Sequence, residues 1–368
     1  MSPTRSLIVA SFSYIWIWLT GWLCSFFPRI TWVANSISFG PSKYSELNLV
    51  EVLERLFYKW DAVNYLDIGL NGYGGTLWKH AFFPLYPYLL RVISQTTLVS
   101  DPQTLGRIAS LVQVPLFAVA LYFWSRIIPN RKDWVWVLAF YPTSVFFFAA
   151  YPETLFIALG GVICFSLLHS RQVLLLTAIP LLMLTKHAGV GMALAAPLWC
   201  LIYRRKLLLT ASFAWIAGLI GVLSFYKMEA GDPWIWLKAQ QLWGRSFGFP
   251  WHLIHDLQGK GIELILYVVL LFAAPILLGF KALGAQTIRA RESWTLCFLW
   301  VSALFVPVWF GSSTASLYRI IALGTPCLAL FEDAFSWNRG FVRRAFVVFV
   351  ILLNLHATYR FVAYLQLA

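Results

Sequence analysis

The chain has 368 residues, of which 60% are apolar, 18% aromatic and only 12% charged. A soluble globular domain carries roughly 45–50% apolar and roughly 25% charged residues, so a water-soluble single domain is excluded; a disordered chain needs the opposite balance. The formal charge of +13 would suggest nucleic acid in a soluble protein, but in so apolar a chain its distribution must first be weighed against membrane topology.

A transmembrane helix needs about 20 apolar residues. In chain order the candidates are 7–27, 104–127, 134–150, 153–169, 172–185, 187–203, 207–227, 262–280, 293–310, 315–335 and 341–362. The expectation is an all-α polytopic membrane protein, a single integral-membrane domain over 1–368 with eleven spans. The range is nine to twelve, because the neighbouring short runs 153–169, 172–185 and 187–203 are open to being re-entrant or merged. The first run is span-length and no small-residue cleavage site follows it, so it is read as an anchor rather than a signal peptide. Cys24, Cys164, Cys200, Cys297 and Cys327 all lie in apolar runs without a CxxC or Cys/His pattern, so neither a disulfide framework nor a zinc site is indicated.

Basic residues in short loops set the orientation. With the N-terminus inside, Arg5, Arg126, Arg131, Lys132, Arg171, the Arg204-Arg205-Lys206 run and the groups at 281–291 and 339–344 all fall inside. The inner side then holds 14 basic and 4 acidic residues, a net +10, and the outer side the remaining +3. The excess charge is accounted for by topology, and no nucleic-acid partner is needed. Residues 82–99 are nearly apolar too, but Arg91 sits in mid-run, and a charge at mid-bilayer costs about 2.5–3.5 kcal/mol or more. This segment is therefore placed on the outer interface, as a helix started by Pro84 and Pro87.

Polar sequence then concentrates in two outer loops, 28–103 and 228–260. The first opens with a predicted amphipathic helix over 46–59, its apolar face carrying Leu49, Leu53, Leu56 and Phe57. Next comes WDAVNYLDIGLNGYGG, where Asp61 reads in two compatible ways. It caps a short helix over 62–69, with Trp60 as an interface anchor, or it is a carboxylate held at the membrane surface to accept a proton. On such a helix Asp67 would lie about 9 Å further along the axis and on another face, so the two are no obvious dyad.

In the second loop Asp232-Pro233 starts a turn, and Trp234, Trp236, Trp243 and Trp251 read as an interfacial belt. Arg245, between Gly244 and Ser246, has the setting of a phosphate fork. His252 and His255 lack a third ligand, and no metal site is expected. Tyr151 and Glu153 fall at an outer turn, Lys186 and His187 between two short spans, and Arg319 near the outer end of another. Lys186 or Arg319 alone reads as snorkelling to the interface. Lys186, His187, Arg245 and Arg319 together, opposite Asp61, read as a cationic pocket for a phosphate.

The stretch WDAVNYLDIGLNGYGGTLWKHAFFPLYP (60–87) resembles the WDxxxYLxIAxxGY…AFFPLYP signature of the PIG-V-type mannosyltransferases of glycosylphosphatidylinositol synthesis and their prokaryotic relatives. FYPTSVFFFAAYPETLF (140–156), TKHAG (185–189), GDPWIWLKAQQLWGR (231–245) and SLYRIIALGTPCLAL (316–330) are similar to further blocks of that family, in the same order. The resemblance implies a GT-C-type membrane glycosyltransferase acting on the non-cytosolic side, in the plasma membrane of a prokaryote or the endoplasmic reticulum of a eukaryote. It implies a polyprenyl-phosphate sugar donor, a lipid, glycan or protein acceptor, inversion at the anomeric carbon, no cofactor, and Asp61 as base. The substrate-binding set is then Trp60, Asn64, Tyr65, Asp67, Tyr86, Tyr151, Glu153, Asp232, Gln240 and Trp243, with Lys186, His187, Arg245 and Arg319 on the donor phosphate. The sequence departs from the family pattern at Asn64, Asp67, Pro152, Lys186-His187 and Tyr318-Arg319-Ile320, which leaves the sugar and acceptor open. Two other readings compete. A lipid or sugar transporter would need polar residues at mid-membrane or a repeat architecture, and neither is visible. A non-catalytic membrane subunit would use its outer loops as a scaffold; an accessory membrane subunit is a further candidate partner.

Overall fold

The computed structural model describes residues 1–25, 60–127, 134–141, 144–242 and 262–303, with 351–352, 354–355 and 358 near the C-terminus. The predicted helix over 46–59, the spans 315–335 and 341–362 and the residues Trp243, Arg245, His252, His255 and Arg319 lie outside the described residues or nearly so.

The described residues are helical, with no strand among them. In chain order the helices are α1 (Pro3–Ser25), α2 (Asp61–Asn71), α3 (Leu85–Thr97), α4 (Pro102–Ile127), α5 (Trp134–Ala139), α6 (Val145–Phe148), α7 (Glu153–Leu168), α8 (Gln172–Thr185), α9 (His187–Ala193), α10 (Ala195–Tyr203), α11 (Arg205–Ala230), α12 (Ile235–Leu242), α13 (Ile262–Leu283) and α14 (Ile288–Ser302). A short 3-10 helix, Leu77–Ala81, joins α2 to α3. Among the described residues two helices, α4 and α11, are long and apolar enough to cross a membrane, while α7 and α8 are apolar but shorter.

Three boundaries differ from the sequence expectation. The run 134–150 is not one span but two short helices, α5 and α6; the sequence between them carries Pro142, a residue without the N–H a continuing helix needs. The run 187–203 divides at Leu194 into α9 and α10. Asp61 is the first residue of its helix and not its cap; Trp60 holds the cap position, and the helix runs on to Asn71, where Gly72 at φ 78 ends it. Segment 82–99 does form a helix led by Pro84. At 13 residues it is about 20 Å long, well short of a bilayer core of about 30 Å.

The centre of the packing is α4 against α7, flanked by α1 on one side and α8 and α11 on the other. Two glycines allow the close approaches that shape the rest. A Cβ on Gly69 would stand 2.8 Å from the Leu90 Cβ, so α2 crosses directly on the backbone of α3. Gly189 lies against the Leu182 carbonyl, where any side chain would collide, and this lets α9 fold back on the end of α8. Lys186 between those two helices is extended (φ −162, ψ 150), and its carbonyl accepts the first hydrogen bond of α9 from Gly189 N–H at 2.8 Å.

Candidate active site

Asp61 stands in the first turn of α2, half-buried. The unpaired N–H groups of a helix start favour a carboxylate there. The residue before it is unusual: Trp60 has φ 53 and ψ −131, a region that side chains with a Cβ avoid at a cost of order 1–3 kcal/mol. Trp60 keeps 41% of its surface exposed. The chain thus turns sharply, in a strained residue, immediately before the carboxylate.

Asp61, Asn64 and Tyr65 share one face of α2, at the i, i+3, i+4 spacing of a helix. Tyr65 carries that face into the core, where it is 5% exposed. Its ring meets Phe82 at 4.9 Å, Tyr86 at 5.4 Å and Tyr151 at 6.3 Å, all edge to face, the geometry that aromatic quadrupoles favour. Phe82, Tyr86 and Tyr151 therefore meet the ring that stands about one helical turn from Asp61.

The organiser of this cluster is a residue that sequence reasoning missed. Gln113, 1% exposed inside α4, donates from Nε2 to the Tyr86 hydroxyl at 3.0 Å and to the carbonyls of Tyr151 at 2.7 Å and Ala149 at 3.3 Å. It ties α4 and α3 to the irregular segment 149–152. The only signal in the sequence was a lone amide in an otherwise apolar run.

Behind Tyr86 lies a buried ion pair. Lys186 Nζ donates to Glu153 Oε1 at 2.8 Å, with the Glu153 side chain fully buried and that of Lys186 at 12% exposure. The break at Lys186 puts this ammonium at the start of α7, where Glu153 opens its helix. Lys186 is therefore not a snorkelling side chain. His187, next in sequence, faces Phe83 at 6.4 Å between ring centroids, and Phe83 in turn meets Trp236 at 5.5 Å. Gln240 of α12 donates to the Ala81 carbonyl at 3.2 Å and so ties α12 to the FFPLYP segment. Trp243 and Arg245, which follow α12, and Arg319 are not described.

Two acids of the expected substrate set hold local structure. Asp67 lies about 120° round α2 from Asp61. Its carboxylate pairs with Lys79 Nζ at 2.7 Å and accepts from the Asn71 amide at 2.7 Å. Partial burial alone would raise its pKa; the Lys79 ammonium and the Asn71 amide outweigh that and hold it below the usual carboxylate range. Asp232 accepts from Trp234 N–H at 2.9 Å and from Lys238 Nζ at 2.7 Å, and the Lys238 bond holds it low as well. Among the described residues no three His, Cys, Asp or Glu side chains form a metal-ligand set.

Comparison with family models gave no match, and comparison with characterised proteins gave none either.

Proposed function

We propose that the chain is a multi-pass membrane glycosyltransferase of the inverting, polyprenyl-phosphate-dependent class, as its resemblance to the PIG-V-type enzymes implies. The observation that carries this reading is the convergence around Asp61. The two ends of the 60–87 stretch and the distant YPE segment pack together through Tyr65, Tyr86 and Tyr151, and Tyr65 stands one turn along the helix that Asp61 opens at a strained residue. Strain of this kind is characteristic of functional sites.

In the proposed reaction Asp61 takes the proton from an acceptor hydroxyl as that oxygen attacks the anomeric carbon. The bond from that carbon to the donor phosphate breaks, and polyprenyl phosphate departs with both electrons. Cations around the leaving phosphate stabilise its growing charge, an effect worth several kcal/mol in comparable sites. Arg245 is the proposed main cation, joined by Arg319 or by Lys186, whose charge Glu153 offsets in part. Asn64 and Tyr65 would orient the acceptor, and the donor's tail would lie among the helices.

The two long-range ion pairs, Lys186–Glu153 and Arg204–Glu292, each join residues that the proposed topology assigns to one side. Lys79–Asp67, Lys186–Glu153 and Lys238–Asp232 each join two residues assigned to the outer side. Arg204–Glu292, at 3.0 Å, joins two residues assigned to the inner side. No described ion pair crosses the assignment.

The test is Asp61→Asn, assayed with purified membranes, a polyprenyl-phosphate mannose donor and mass spectrometry of the glycoconjugates formed. The variant should reach the membrane at wild-type level and lose transfer by about 100-fold or more, the usual contribution of a general base. Turnover near that of the wild type would overturn the assignment.

A further inference from the structure

A cleft at the other end of α2 takes no part in this chemistry. It lies where the end of α2, the middle of α3 and the last turn of α11 meet, and its walls include Ile68, Gly72, Tyr73, Tyr88, Arg91 and Glu229. It is a small cleft, open to solvent on one side.

Arg91 is set in this cleft by two contacts. Its Nε donates to the Gly69 carbonyl at 3.2 Å, and its guanidinium carbon stands 5.7 Å from the centroid of the Tyr88 ring. The first contact uses one of its five N–H donors. Among the described residues its terminal nitrogens meet no acceptor. One of them stands 3.0 Å from where a Cβ on Gly72 would be, and Gly72, at φ +78, leaves that side open. Glu229 is exposed in the last turn of α11 and makes no ion pair among the described residues. Tyr73 feels both charges. Burial raises its pKa well above the usual phenol value, Tyr226, Tyr88 and Glu229 add to the rise, and Arg91 opposes it.

A fork of N–H donors and a carboxylate on the walls of one cleft, not bonded to each other, match a ligand that carries both charges. We propose that this cleft binds a phosphoethanolamine-type zwitterion, its phosphodiester on the terminal nitrogens of Arg91 and its primary ammonium on Glu229. Arginine forks match phosphate oxygens. A primary ammonium has N–H groups for a carboxylate to accept, whereas a quaternary one is recognised by a cage of rings, and here one exposed ring, Tyr88, lines the cleft. The cleft lies about 16 Å along α2 from Asp61, so its occupant is not the molecule being transferred. The site goes beyond the glycosyltransferase reading, and its test reads binding rather than turnover.

The ethanolamine headgroup of a membrane lipid and a free glycerophosphoethanolamine share this chemistry. The full chain in detergent micelles is offered equimolar phosphatidylethanolamine and phosphatidylglycerol, and the lipids retained are weighed by native mass spectrometry. The wild type should prefer the ethanolamine lipid by about fivefold, and Glu229→Gln should bring that preference close to one. Arg91→Ala should lose retention of the ethanolamine lipid; because Arg91 also caps α2, Glu229→Gln, which alters no bond of the described fold, carries the decision. Displacement by millimolar glycerophosphoethanolamine would identify the headgroup alone as sufficient; no displacement, with the preference intact, would identify the lipid as the occupant. Equal retention of the two lipids by the wild type, or an unchanged preference in Glu229→Gln, would overturn the proposal.

Discussion

Two lysine–carboxylate pairs flank the candidate site with nearly the same geometry and equally buried lysines, but with acids in different surroundings. Lys186 and Glu153 meet at 2.8 Å with the acid fully buried, and Lys79 and Asp67 meet at 2.7 Å with the acid 37% exposed. Distance alone does not rank them. Where water reaches a pair, it screens the attraction and solvates whichever partner is left behind, so such pairs contribute about 0–1 kcal/mol. Where water is excluded, the attraction offsets a large desolvation cost, and losing one partner strands a charge, at about 3–5 kcal/mol. The buried pair should therefore define local structure, and the exposed pair should only trim it.

The same substitution at both sites is the sharpest way to break this comparison. Lys186→Met should destabilise the protein by about 3–5 kcal/mol, and Lys79→Met by about 0–1 kcal/mol, both measured as loss of folded protein on heating in detergent. A double change, Glu153→Leu with Lys186→Met, should recover much of the stability without recovering transfer, because an apolar pair fills the space but supplies no cation. If Lys186→Met and Lys79→Met proved equally mild, the buried pair would have no structural role. Next in size is Gln113→Leu, which leaves two carbonyls and a hydroxyl with one partner fewer. A cost of about 1–3 kcal/mol is expected, together with reduced transfer at an unchanged amount of protein in the membrane.

The smallest effect is a pH dependence. The pKa of Asp67 is lower in the folded chain than in the unfolded one, so its pair contributes fully above about pH 4, the ordinary carboxylate value. That contribution is lost as pH falls through the lower folded value. Melting curves of wild type and Asp67→Asn should thus differ slightly at pH 6 and converge toward pH 3. Divergence on acidification would contradict the sign.

The sequence made some of this legible and hid the rest for physical reasons. The segment around Trp60, Asp61 and Tyr65 could be singled out because its polar, aromatic and glycine residues interrupt an apolar chain. The Pro84 start of α3 was legible too, since proline imposes its own geometry, and so was the break at Lys186, a charge between two apolar runs. Glu153 and Lys186 were both noted, but with separate roles. Their pairing depends on the α7–α8 hairpin bringing together residues 33 positions apart, and helical periodicity within either run contains no trace of that. Gln113 was hidden in a similar way, since its partners lie 27 to 38 residues onward or back along the chain. Asp61 was expected as a cap and is the first helical residue instead, because the capping position fell to Trp60 at a backbone angle that no composition rule anticipates.

The Glu153–Lys186 contact also sets how far the hairpin can be edited. Glu153 begins α7 and Lys186 follows the last residue of α8, so the pair closes the hairpin at its open end. One residue added to α8 would turn its end by about 100° and advance it by about 1.5 Å, which is enough to carry the ammonium away from its carboxylate. The two helices therefore count each other's residues. Insertions and deletions between 153 and 186 should be rejected even where every apolar side chain could be replaced in kind.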